Sequence, residues 1–383
     1  MNSFIAILFW FSIAAVAYSY ALYPAVLAAA ARLAGRRWRR DESHCPTVGV
    51  VVPMYNEEKV AHRKIDNLRA LDYPADKLAI WIGSDCSTDA THDIIRGMGD
   101  PRIKLWIAPK RGGKTEVINH LTPQVDAEII LFTDANTMHR PDSLRRLVAS
   151  FADPAVGAVA GHIDHIQSAG DRFGERVYRS FEAQQKEHEA LLHSTISAFG
   201  GFYAVRKELF RPIPRNAYSN DDVLIPMNVV RSGKRVVFDA SAVSSEDMTE
   251  AIRSEFQRRI RIGAGNFQAF FWLLDFLNPM RGWPWFCYVS HKVTRWFSPI
   301  CMGIAFFSAI ALALLHAGAI YSVALGGMLL FMAAGLSSLL IPARPLRFVF
   351  YFISMNVALV LGLFRYLSGI QSAAWSRTER VSS

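Results

Sequence analysis

The segment Ile129-Ile130-Leu131-Phe132-Thr133-Asp134-Ala135-Asn136-Thr137 is an apolar run that stops abruptly at a carboxylate, one spacer and an amide. It reads as a buried strand that delivers polar ligands to a cleft. In an open α/β sheet, ligands bind beyond the carboxyl ends of the strands, which puts Asp134 and Asn136 at the edge of a site. Asn136 or Thr137 also suits a plainer role, capping a helix that starts near Pro141, because short polar side chains bond readily to backbone at turns and helix starts.

Outward from this segment the same texture repeats. Strands are expected at 48–52, 78–82, 103–107 and 128–133, with another near 156–160. Between the first two, Ala61, Ile65 and Leu68 fall at i, i+4 and i+7 and mark an amphipathic helix, with Asn56 as its N-cap. Strand and helix alternate, which predicts an α/β domain with a mainly parallel sheet.

Each strand runs into polar residues. The first meets Pro53-Met54-Tyr55-Asn56-Glu57-Glu58 and the second Ser84-Asp85-Cys86-Ser87-Thr88-Asp89. Singly these are ordinary helix starts. Their recurrence at successive strand ends points to a ligand, and a nucleotide would need an acceptor for a base N–H, which Asp85 can supply. The third strand leads to Lys110-Arg111-Gly112-Gly113-Lys114. The spacing is not that of a Walker A loop. It suits either a solvated basic turn or a diphosphate, for which two glycines allow close backbone approach and the cations compensate charge.

Composition adds a membrane. Of 383 residues, 51% are hydrophobic, and mean hydropathy is positive at +0.17, high for a wholly soluble chain. The net charge of +9 does not signal nucleic acid, since cations cluster beside apolar segments, as in Arg36-Arg37-Trp38-Arg39-Arg40 and from Arg344 to Arg347. The four cysteines, Cys45, Cys86, Cys287 and Cys301, have no zinc spacing and read as reduced thiols. An uncharged run over 2–31 exceeds the roughly 20 residues that a spanning helix needs. Basic residues follow this run rather than precede it, which favours a retained helix over a cleaved signal and puts the following residues in the cytosol.

The expected layout is therefore a transmembrane helix at 1–34, an α/β domain at 46–265, an interfacial aromatic segment at 266–295, three transmembrane helices within 296–370 and a tail at 371–383. A turn near His316 separates two of the spans, and Arg365 snorkels to the interface.

The ordered set Pro53-x-Tyr55-Asn56-Glu57, Ser84-Asp85-Cys86-Ser87-Thr88-Asp89, Gly113-Lys114 and Asp134-Ala135-Asn136 resembles the nucleotide-binding half of family 2 glycosyltransferases with the GT-A fold. The resemblance continues through Gly200-Gly201-Phe202-Tyr203-Ala204-Val205-Arg206, Asn220-Asp221-Asp222 and Arg258-Arg259-Ile260-Arg261-Ile262. It implies a Rossmann-like, cytosolic GT-A domain flanked by transmembrane helices. The implied cofactor-binding residues are Pro53, Tyr55, Glu57, Asp85, Lys114, Asp134, Arg258 and Arg261. Asp85 would contact a uracil ring and Lys114 the nucleotide region. Asp134 and Asn136 would occupy the Asp-x-Asp position and hold Mg2+ or Mn2+ on a diphosphate. Asp222, with Asp221 beside it, would be the catalytic base.

Two departures stand out: Asn136 replaces the usual second Asp, and Ile262 replaces the Trp of the Gln-x-x-Arg-Trp motif while Arg261 keeps its Arg. The resemblance implies an inverting, metal-dependent transferase that moves a sugar from a UDP-sugar to a membrane-associated glycan or lipid-linked acceptor. It would act in cell-surface polysaccharide synthesis, in a bacterial-type inner membrane crossed several times. Membrane lipids are partners in this reading and nucleic acid is not. A processive synthase that extrudes its own polymer, and a catalytically silent nucleotide-sugar-binding protein, remain open alternatives. The sugar, the linkage and the oligomeric state are not legible.

Overall fold

Strands that are covered on both faces can be apolar throughout, and the expected runs at 48–52 and 128–133 become such strands. The computed structural model of the chain describes residues 2–166, 173–218, 220–247, 252–341 and 343–372. Two units are distinguished: Ala31–Ser168, Lys186–Ser254 and Ile370–Ser383 form one, and Met1–Ala30, Ala169–Gln185 and Glu255–Gly369 form the other.

The first unit is built on one sheet. Its strands in chain order are β1 (Val48–Met54), β2 (Leu78–Ser84), β3 (Ile103–Ile107), β4 (Ile129–Phe132), β5 (Thr137–His139), β6 (Val156–Ile166), β7 (Tyr203–Arg206) and β8 (Arg235–Asp247). Their spatial order is β3-β2-β1-β4-β7-β6-β8-β5. All of β1 and β4 is buried. The pairs β3-β2, β2-β1 and β1-β4 are parallel, as expected. The other half is mixed: β4-β7, β7-β6 and β8-β5 are antiparallel and β6-β8 is parallel. Direction was not legible there because it is set by which distant strands come to pair, and a strand's own residue pattern reads the same in either orientation.

The amphipathic helix runs over Glu58–Arg69 and buries Val60, Ala61, Ile65 and Leu68. Its N-cap is Glu57 rather than Asn56. Asn56 instead takes a left-handed backbone, with φ 53°. Its side chain crosses to the next strand end, where Oδ1 accepts from Thr88 N at 2.8 Å. The turn after β1 is thus tied to the turn after β2. The helix expected near Pro141 spans Ser143–Ala149.

The second unit is helical. Among the described residues, four helices are long and apolar enough to cross a membrane: Asn2–Ala34, Trp283–Leu314, Ala319–Ser337 and Arg344–Leu367. The segment expected to be interfacial is divided. Ile252–Trp272 is a helix, short turns follow at Leu274–Leu277 and Pro279–Arg281, and Trp283 already begins the second apolar helix. Phe9 packs against Ala305, Ala309 and Leu312, while Val323 and Leu330 on Ala319–Ser337 point outward. An apolar helix that exposes such residues suits lipid rather than water.

Leu131 lies fully buried in β4. Leu131→Ala should cost about 2–5 kcal/mol through lost burial and the cavity left behind, read as a lowered thermal midpoint of the full chain in detergent.

Candidate active site

The functional side chains gather at the carboxyl ends of β1, β2 and β4. Beyond Phe132 the chain makes a short turn through Asp134, Ala135 and Asn136 before β5 begins at Thr137. Beneath that turn lies Lys64, fully buried although it sits in the apolar stripe of the Glu58–Arg69 helix. Its Nζ reaches Thr133 Oγ1 at 2.8 Å, Thr137 O at 2.5 Å and His139 Nε2 at 3.3 Å. These acceptors match the donors of an ammonium group. Burial pulls the Lys64 pKa down to about 7, against the attraction of Asp134. Burial, and then the Lys64 charge, holds His139 well below the ordinary imidazole range. His139 is therefore neutral, and with Nε2 facing Lys64 its Nδ1–H is free to donate to Ser244 Oγ at 2.6 Å. Both ends of the Asp134-Ala135-Asn136 turn are thereby fixed from below.

A second cation works from above. Lys114 lies in the first turn of the helix Gly113–Leu121, and its Nζ lies 2.9 Å from Asp134 Oδ1 and 3.1 Å from Asp221 Oδ2. It also donates to Gly200 O at 3.1 Å. Burial opposes the Lys114 charge, but Asp134 and Asp221 outweigh it and hold its pKa above the ordinary lysine value.

Asp221 is buried and also accepts from Tyr203 OH at 2.8 Å. Burial and this carboxylate keep the Tyr203 phenol well above its usual pKa, hence neutral and donating. The helix Asp221–Arg231 opens on the two acids, favoured there by the helix dipole. Pro226 lies inside that helix and has no N–H to give to Asp222 O, four residues back. That carbonyl accepts from Ala198 N instead, at 2.7 Å. Gly200 lies beside the Asp222 carboxylate, since a Cβ there would sit 3.5 Å from Oδ2. Gly201 is obligatory for packing, because a Cβ would overlap Thr137 Oγ1. Asp222 is partly exposed, whereas Asp221 is not.

The third group surrounds Asp85, which is fully buried. Its carboxylate accepts from Gly112 N at 2.7 Å, Gly113 N at 3.1 Å and Arg111 Nε at 3.0 Å. The Arg111 guanidinium also stacks 3.4 Å above the Tyr55 ring. The basic turn is therefore drawn onto the end of β2, not left in water. Pro53 is buried within β1, and Glu57 caps the following helix. Arg258 and Arg261 belong to the helical unit. There, burial opposes ionisation of Glu255, and Arg259 and Arg258 overcome it, bringing its pKa to about 2.

The donors fit a hard divalent cation shared with a substrate. Among the described residues no group of three or more His, Cys, Asp or Glu is placed to hold a metal alone. Asp134 is about one-third exposed at the strand end. Mg2+ and Mn2+ are commonly held by one or two protein oxygens together with phosphates and water. Asp134 and the Asn136 amide oxygen supply that number.

Sequence reasoning missed Lys64, Tyr203 and Glu246 as site residues. Lys64 had a signal, being a lysine at a position where helical periodicity demands an apolar residue. Glu246 had none, because only the pairing of Thr137 with Glu246 brings it to the turn.

The order of the mixed sheet and the polar ends of its parallel strands are those of an α/β domain of the GT-A fold, as a structural likeness shows. Residues 49–213 match the family model Glycosyl transferase family 2. A solved mannosyltransferase, PcManGT from Pyrobaculum calidifontis, in complex with GDP-Man and Mn2+, shares the fold. Its TM-score is 0.74 at 24% identity, covering 94% of this chain and 99% of that one. A beta-monoglucosyldiacylglycerol synthase from Synechocystis sp. is 36% identical over 118 residues, 30% of this chain and 25% of that protein. The probable glycosyltransferase YdaM of Bacillus subtilis is 26% identical over 243 residues, 60% of this chain and 57% of that protein. The chain thus spans about a quarter of the first relative and little more than half of the second.

Lys64→Met would leave Thr137 O buried without its donor. The expected cost is about 1–3 kcal/mol, seen as a lower thermal midpoint in detergent, whereas an unchanged midpoint would remove Lys64 from the frame of the site.

Proposed function

We propose that the chain is an inverting, metal-dependent glycosyltransferase that moves a sugar from a UDP-sugar to a membrane-associated glycan or lipid-linked acceptor. The observation that carries this reading is the convergence of Asp134, Lys114 and Asp221 with the partly exposed Asp222 beside them at the strand ends of a family 2 domain.

In this reading the uracil ring lies by Asp85, between the Tyr55–Arg111 stack and the glycine turn. Pro53 and Glu57 shape the end of β1 beside it. Asp134 and Asn136 would hold Mg2+ or Mn2+, which when bound offsets charge on the diphosphate. Lys114 adds a fixed positive charge at the same corner, and Asp221 and Tyr203 keep it there. By the resemblance alone, Arg258 and Arg261 are proposed as diphosphate-binding residues.

Asp222 acts as general base. It takes the proton of the acceptor hydroxyl, whose oxygen forms the new bond to the anomeric carbon as the bond to the diphosphate oxygen breaks. UDP leaves with the electron pair, and attack from the opposite face inverts the centre. Asp222 is better placed for this than Asp221, because it is partly exposed beside Gly200 whereas Asp221 is buried.

The apolar helices and their basic flanks support a multi-pass protein of a bacterial-type inner membrane, with the α/β domain on the cytosolic side. That the first relative is named for a glucosyl-diacylglycerol supports an acceptor that is a lipid or is lipid-linked. Ile262, in place of a flat sugar-stacking Trp, supports addition of single sugars over polymer extrusion.

Asp222→Asn should lower transfer by about 10²- to 10⁴-fold while UDP binding, measured by calorimetry, stays near the wild-type value. Full turnover by this variant would refute the base. Chelation with EDTA should stop transfer by the wild type, and added Mn2+ or Mg2+ should restore it.

A further inference from the structure

The turn that follows β4 carries one carboxylate and one amide, so half the charge of an Asp-x-Asp corner is missing from it. The structure places a carboxylate beside the amide. Glu246 lies on β8 opposite Thr137 of β5 in the antiparallel register, and Asn136 Nδ2 donates to Glu246 Oε1 at 2.9 Å. Asn136 is buried and Glu246 half-buried.

The direction of this bond is fixed by chemistry. An ionised carboxylate only accepts, so it can be met by the amide nitrogen and not by the amide oxygen. With Nδ2 committed to Glu246, Oδ1 is turned to the other side of the planar amide. That oxygen is the atom a hard cation takes from Asn.

We infer that Glu246 is a positioning residue of the metal corner: it holds Asn136 with its amide oxygen presented to the cation and returns, from another strand, the negative charge that Asn136 lacks. This role rests on the proposed metal-dependent reading of the site. It also explains how an amide can stand at this position. An Asp at 136 would face Glu246 at hydrogen-bond distance, and two like charges there repel, whereas Asn converts the contact into a charge-assisted hydrogen bond. The two positions are therefore coupled, and either one, but not both, carries the acid.

The test is Mn2+ binding to the full-length protein in detergent with UDP present, followed by electron paramagnetic resonance, a readout independent of sugar transfer. Glu246→Ala should weaken Mn2+ by at least about tenfold, the usual scale for losing a residue that orients a metal ligand. Asn136→Asp alone should also weaken it. The exchange N136D/E246Q, which moves the acid into the turn and the amide onto β8, should recover affinity to within about threefold of wild type. Recovery in the double variant also excludes simple misfolding as the cause of loss in the singles. Wild-type affinity in Glu246→Ala, or a double variant no better than Asn136→Asp, would overturn the role of Glu246 and leave the metal reading standing. Failure of the wild type itself to bind Mn2+ with UDP would overturn the metal reading and this role with it.

Discussion

One ammonium group holds together parts of the chain that are distant in sequence. Lys114 Nζ touches the carboxylate after β4, the carboxylate that opens the helix Asp221–Arg231 and the carbonyl of Gly200. Without it, Asp134 and Asp221 would be left as uncompensated acids in a partly buried corner, where an unpaired charge is expensive. The parallel half of the sheet and the later segments are thus joined by electrostatics at the point where the chemistry is proposed to occur. Tyr203 and the backbone of Ala198 complete the arrangement by fixing Asp221 and Asp222 separately.

The site is a layered set of opposed charges. Lys64 lies below the Asp134-Ala135-Asn136 turn, Lys114 lies on its open side, and Glu246 lies beside it. His139 stays neutral because burial and Lys64 both disfavour its cation. Asp85 makes a similar clamp one strand away, drawing the glycine turn and Arg111 inward, with Tyr55 under the guanidinium. A corner of charges already paired in this way would need little rearrangement to receive the diphosphate of the proposed donor, which is how preformed dipoles and charges contribute to catalysis.

The helical unit applies the same rule in an apolar setting. Glu182 is buried and meets Lys292 at 2.9 Å, His291 at 3.2 Å and Arg295 at 3.2 Å. All three partners lie on the apolar helix Trp283–Leu314, and the Arg295 guanidinium is flanked by Tyr20, Tyr178 and Phe181. Cations that would be costly in such surroundings are tolerated because a carboxylate and aromatic faces accompany them.

Much of this was legible in the sequence because it is local. The apolar runs dictate β1 to β4, their polar ends mark the candidate site, and uncharged stretches of spanning length mark the helices that are long and apolar enough to cross a membrane. Asp85, Lys114, Asp134, Asp221 and Asp222 were singled out as candidates by residue type, order and resemblance. What only the tertiary structure decided is non-local. The direction of β5, β7 and β8 depends on hydrogen bonds to strands distant in sequence and leaves no trace in their own residues, and so neither does the pairing that sets Glu246 against Asn136. The same holds for Asn56, whose left-handed backbone turns it from a helix cap into a tie to Thr88. The sequence alone determined which groups are available at the strand ends. Folding decided which of them neutralise one another, because hydrogen bonds and ion pairs depend on distances that only the packed sheet sets.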